Sequence, residues 1–145
     1  MKLSVLIPAH DEKSCLEATV SDLVETLNRE HVSHEILIVN DNSSDETLEL
    51  CQDLASKFES VRYVSNQPPN GFGLAVRLGL RKFRGDAVAI VMADGSDDPL
   101  DVVSCLSWKP QSCAERLAAR RLKSRKTSKA GPQMSRYSSL IAARS

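Results

Sequence analysis

An α/β architecture built on a parallel, Rossmann-like sheet follows from three features of this sequence. Short β-branched apolar runs alternate with longer stretches whose apolar residues recur at helical spacing. The runs end at turn-forming residues, such as Pro8 after the first and Asn40 after the second. Two runs are also followed closely by clustered acids, Asp41 to Asp45 after Ile36–Val39 and Asp94 to Asp98 after Val88–Met92. Carboxylates in those places sit just beyond the C-terminal ends of strands, where open α/β sheets bind ligands. There they can hold a base edge, a ribose or a divalent metal.

The elements can be taken in order. Leu3–Ile7 predicts the first strand, and residues 12–30 predict a helix with Leu16, Val20, Leu23, Val24 and Leu27 on one face. Ile36–Val39 predicts the second strand. Ser44 is placed to cap the next helix, which runs through Leu48, Leu50, Leu54 and Phe58, with Asp45 and Glu46 suited to its first turn. Val61–Ser65 predicts a third, shorter strand, and Gln67 to Gly71 a loop. A third helix carries Leu74, Val76, Leu78 and Leu80 and reaches about Phe83, before a fourth strand at Ala87–Met92. The order βαβαβαβ implies right-handed crossovers with helices on both faces of the sheet.

The 145 residues suit one domain, but the net charge of zero hides a division. Residues 1–105 hold 9 Lys/Arg against 18 Asp/Glu, whereas residues 106–145 hold 10 Lys/Arg and one acid, Glu115. Beyond Cys105 the periodicity also fails, only Ala114–Leu122 keeping a helical pattern, so residues 106–145 are expected to form a basic, mostly disordered tail. The four cysteines form no C-x-x-C pair, which predicts reduced thiols in a cytoplasmic protein. Neither a signal peptide nor a membrane-length apolar stretch is visible.

Three segments carry the candidate chemistry. Pro8-Ala9-His10-Asp11-Glu12 spans the first strand-to-helix turn, where its acids either touch a nucleotide or complement the following helix. Asp41 closes a strand ahead of a serine-rich turn and is a candidate base-holding carboxylate. Asp94, Asp97 and Asp98 flank Gly95, a donor set for a hard cation such as Mg²⁺ or Mn²⁺ together with substrate phosphates; alternatively Asp97-Asp98-Pro99 opens a helix. Gly71-Phe72-Gly73 departs from a dinucleotide fingerprint because Val76 stands at the third glycine's place, though Arg77 could face a phosphate. His31 and His34 lack partners that would make them metal ligands.

Taken in order, Val5 to Glu12, Ile36 to Thr47, Gly71 to Gly79 and Val91 to Pro99 resemble the motifs of family 2 glycosyltransferases, close to the dolichyl- and polyprenyl-phosphate mannosyl/glucosyltransferase branch. The resemblance covers about residues 3–104 and implies a GT-A, nucleotide-diphospho-sugar-binding domain over residues 1–105, truncated after its fourth strand. It implies inverting sugar transfer from GDP-mannose or a UDP-sugar to an acceptor, with polyprenyl or dolichyl phosphate at a membrane surface expected. The alternative is a fragment that binds the donor without turnover. By position, Pro8, Ala9 and Glu12 would line the nucleoside pocket, Asp41 would hold the base, and Ala93 and Asp94 would adjoin the diphosphate. Asp94 would match the last acid of the D-x-D metal motif, with Ser96 near the metal. Met92 stands at the first acid of that motif, and residues 106–145 carry none of the family's second half, which points to a frameshift or alternative exon near Ser104. A cytoplasmic location, peripheral at the membrane face, is the matching expectation, with no nucleic-acid partner.

Overall fold

The computed structural model describes residues 1–107 and 142–143. Its elements are β1 (Leu3–Ala9), α1 (Lys13–Arg29), β2 (His34–Asn40), α2 (Thr47–Lys57), β3 (Val61–Ser65), α3 (Phe72–Lys82), β4 (Ala87–Ile90), α4 (Pro99–Ser107) and β5 (Ala142–Ala143). The sheet order is β3-β2-β1-β4-β5. The first four strands pair parallel, as the alternation of elements requires. β1 is buried along its whole length, and β2 from Glu35 onward, because helices cover both faces.

The two faces are filled unequally. On one, Val5 and Ile7 of β1 and Ile36 and Ile38 of β2 meet Leu16, Val20, Leu23 and Leu27 of α1, Cys51 and Leu54 of α2 and Val102 of α4. On the other, among the described residues, Leu6, Leu37, Val39 and Val88 meet α3 through Ala75. α3 lies close because position 79 is glycine: a Cβ there would come within 2.1 Å of Leu6 Cδ1.

Three sequence expectations shift. β4 ends at Ile90 rather than Met92: Val91 N–H still bonds to Leu6 O, but Met92 N–H is taken by Asp97 Oδ2 at 2.8 Å, which ends the ladder. Ser44 does not cap α2, because its N–H and hydroxyl both donate to Asp11; Asp45 Oδ1 instead accepts Thr47 N–H at 2.9 Å. The sheet also does not stop at its fourth strand, since Ala142–Ala143 pairs antiparallel with Ala87 and Val88, a segment the sequence placed in a disordered tail. The rest of that tail, with the helical pattern at Ala114–Leu122, lies outside the described residues. Among the described residues no helix is long and apolar enough to cross a membrane. Cys15, Cys51 and Cys105 are free thiols, and burial pushes that of Cys51 up to about 12.

Candidate nucleotide-sugar site

At the C-terminal end of the sheet, the turns after β1 and β2 are stitched to each other. Asp11 adopts φ +54°, a conformation uncommon for a residue with a side chain, and its carboxylate accepts the Ser44 N–H at 2.7 Å and the Asp45 N–H at 3.3 Å. In return the Asp11 N–H donates to Ser43 Oγ, the Glu12 N–H to Thr47 Oγ1 and the Lys13 N–H to Asp45 Oδ2. The Ser44 N–H bond, more than any other contact, holds Asp11 below the usual carboxylate range; for Asp45 the Thr47 hydroxyl does so. Of the two roles open to these acids, the bonds formed are those of helix-start and turn ligands.

Beside this stitched rim lies a cleft of about 340 Å³, lined by Pro8, Ala9, His10, Glu12, Asp41, Asn70, Gly71, Phe72 and Met92. It brings together four of the sequence candidates, Pro8, Ala9, Glu12 and Asp41. Asp41 is 3% exposed, and its two carboxylate oxygens accept from Asn66 Nδ2 at 2.7 Å and Gly71 N–H at 2.6 Å. It thereby fastens the β3–α3 loop across the cleft while each oxygen keeps a second lone pair for a further donor. His10 lines the same cleft, with Nδ1 2.9 Å from the Asp41 carbonyl oxygen and Nε2 3.6 Å from Asp11 Oδ2.

Asp94 and Ser96 line a second cleft, of about 460 Å³, with Ser14, Cys15, Ala18, Thr19 and Asp22 of α1. Asp94 is exposed; its Oδ1 accepts the Ser96 N–H at 3.0 Å, and the Ser96 hydroxyl, ahead of that N–H, holds the carboxyl below its ordinary 3.8. Gly95 makes the turn at φ +73°. Ala93 is buried between the clefts, its carbonyl accepting the Thr19 hydroxyl at 2.9 Å. Asp97 is spent on Met92 N–H, and Asp98 Oδ1 accepts Leu100 N–H at 2.8 Å, opening α4 as the helix-start alternative required. Arg77 joins neither cleft. With Ala75 and Gly79 pressed onto the sheet, it points to solvent from the opposite side of α3.

No group of three His, Cys, Asp or Glu side chains that could hold a metal ion occurs among the described residues. The donors present still fit a hard divalent cation: Asp94 offers an ionised, exposed carboxylate, and Mg²⁺ typically takes one or two carboxylates with the rest of its shell from phosphates and water. His10, Asn70, Phe72 and Met92 were not singled out from the sequence as cleft residues. Asn70 and Phe72 flank Gly71, whose bond to Asp41 only the folded loop reveals.

The four parallel strands with clefts beyond the ends of β1, β2 and β4 make an α/β fold, and the solved structures it superposes on place it in the GT-A class. The chain matches Glycosyl transferase family 2 over residues 4–125, past the point where the sequence pattern fades, and it belongs to that family. It is 34% identical over 104 residues to a probable glycosyltransferase, YdaM, of Bacillus subtilis, covering 70% of this chain and 24% of that one. It is 33% identical over 99 residues to a dolichol-phosphate mannosyltransferase of Pyrococcus furiosus, covering 68% of this chain and 27% of the relative. Its fold superposes with a TM-score of 0.56 on the mannosyltransferase PcManGT of Pyrobaculum calidifontis, solved with GDP-Man and Mn²⁺, at 23% identity over 63% of this chain and 27% of that one. The chain thus spans about a quarter of the length of these relatives.

Proposed function

We propose that this chain forms the donor-binding part of an inverting glycosyltransferase that takes a nucleotide-diphospho-sugar, GDP-mannose or a UDP-sugar, and transfers the sugar to a polyprenyl or dolichyl phosphate. The observation that carries the reading is the convergence of Pro8, Ala9, Glu12 and Asp41 on one cleft, with the exposed Asp94 presented beside it at the end of β4. The first cleft takes the nucleoside, with Asp41 accepting from base N–H groups through its remaining lone pairs. Asp94 faces the diphosphate, and the buried Ala93 before it anchors the turn through its bond to Thr19.

Asp94, with Ser96 beside it, would hold Mg²⁺ or Mn²⁺, whose charge would offset that of the leaving nucleoside diphosphate. In the transfer an acceptor oxygen bonds to the anomeric carbon as the bond from that carbon to the diphosphate oxygen breaks, and the configuration inverts. A lipid phosphate brings an anionic oxygen and needs no general base, whereas a hydroxyl acceptor would need one. No residue of either cleft is assigned that task, so the reading takes the phosphate acceptor, at a cytoplasmic membrane face. Arg77, on the outer side of α3, has no place in this donor site.

Titration of the chain with GDP-mannose, UDP-glucose and UDP-N-acetylglucosamine, each with and without Mn²⁺, tests the reading. Selective binding strengthened by Mn²⁺, with that strengthening lost in Asp94→Ala, supports it. A folded chain that binds none of the three overturns it.

A further inference from the structure

We propose that the solvent face of α3 is a docking surface for an anionic lipid bilayer. At about 100° per residue, Ala75 and Gly79 define the buried side of this helix, and Arg77 falls directly opposite, flanked by Leu74, Leu80 and Arg81. Leu74 is 38% exposed and Leu80 37%, and Phe72, at the start of the helix, 54%. Arg77, Arg81, Lys82 and Arg84 are all exposed. Among the described residues none of these four cations enters an ion pair. No acid occurs between Glu59 and Asp86, although residues 1–105 as a whole carry twice as many acids as bases. The Asp86 carboxylate accepts the Lys2 N–H, and Glu35 is buried against Arg62 and the Arg84 N–H.

A helix face that alternates leucine with arginine suits a membrane interface, where aliphatic groups enter the acyl boundary and guanidinium groups stay level with lipid phosphates. A nucleic-acid backbone would take the arginines but leave Leu74 and Leu80 in water. Charge complementarity and interleaved apolar groups together therefore select an anionic bilayer. The docking does not rest on the transferase reading, since vesicle binding needs no sugar nucleotide.

The test uses the full chain with Leu80→Trp in a Trp108→Phe background, Trp108 being its one tryptophan. Flotation is measured with vesicles of phosphatidylcholine alone and with about a third phosphatidylserine, some carrying brominated acyl chains. The expected result is flotation with the anionic vesicles only, quenching of the introduced tryptophan by bromine, and a fall in partitioning of roughly tenfold or more in Arg77→Glu/Arg81→Glu. No flotation overturns the proposal. So does flotation with the tryptophan unquenched and the charge-reversed variant unimpaired, which assigns binding to the basic residues 106–145. Displacement of an unquenched chain by a single-stranded oligonucleotide makes the face a nucleic-acid surface and equally overturns it. Sugar-nucleotide titration of the charge-reversed variant separates the two readings, since donor binding stays unchanged if only docking is lost.

Discussion

Glu35 at the N-terminal end of the sheet and Asp94 at its C-terminal end are both held ionised, but by different surroundings and to different effect. Glu35 is buried, and its oxygens accept from the Ser4 hydroxyl, the Arg84 N–H and the Arg62 guanidinium, linking β1, β2, β3 and the approach to β4. Burial pushes its carboxyl up, but the bonds from Ser4, Arg84 and Arg62 outweigh that and hold it below the ordinary 4.5. Asp94 reaches its lowered state through the Ser96 hydroxyl and N–H, with its own backbone N–H adding to them, and stays open to solvent. The first carboxylate is consumed by the fold and the second is left available, so ionisation alone does not mark a functional acid. The number of protein donors already satisfied does.

The largest break in this contrast should come from Glu35→Ala. It strands the Arg62 charge and the Ser4 and Arg84 donors, and urea unfolding should show a loss of about 3–5 kcal/mol, the range for a buried pair missing one partner. Sugar-nucleotide affinity of the molecules that remain folded should not change. Asp94→Ala should do the reverse: unfolding free energy within about 0.5 kcal/mol of the parent, but a loss of roughly tenfold in the Mn²⁺-dependent gain in donor affinity by calorimetry. A stability loss as large as that of Glu35→Ala would erase the distinction.

Asp11→Ala sharpens the comparison, because Asp11 lies at the ligand end of the sheet yet is used by the fold. Loosening the two turns should weaken donor binding only severalfold, with or without Mn²⁺, whereas the Asp94 effect should vanish when metal is removed. The smallest effect is on pH dependence. A folded-state pKa below the unfolded value gives Glu35 a stabilising contribution that is complete above about 4.5 and lost as pH falls through the folded value. The melting temperature should therefore fall below that point, and Glu35→Gln, measured from neutral pH down to about pH 3, should show a shallower fall.

Much of this was legible in the chain. The apolar runs at Leu3–Ile7 and Ile36–Val39 became fully buried strands, Val61–Ser65 a partly exposed edge strand beside them, and parallel order followed from the helices between them. Asp41 was legible because a carboxylate directly after a buried strand is costly unless it has partners. What stayed hidden depended on contacts distant in sequence. Ser44 has the chemistry of a cap, and only its capture by Asp11, 33 positions earlier, disqualifies it. Arg77 has the chemistry of a phosphate ligand, but Gly79 and Ala75 turn the helix so that it faces away. His10 lies inside the first motif and Asn70 beside the glycine run, but neither residue type marked itself as a cleft residue, and the place of Asn70 follows from the loop that Asp41 fastens.

The stitching between the β1–α1 and β2–α2 turns carries a thermodynamic consequence. Asp11, Ser43, Ser44, Asp45 and Thr47 tie two loops into one body before any ligand arrives. A nucleotide entering beside them meets walls that have already lost their conformational freedom, so little of its binding energy goes to ordering loops and more remains as affinity. The chain settles that entropic cost when it folds, through side chains that need never touch the ligand.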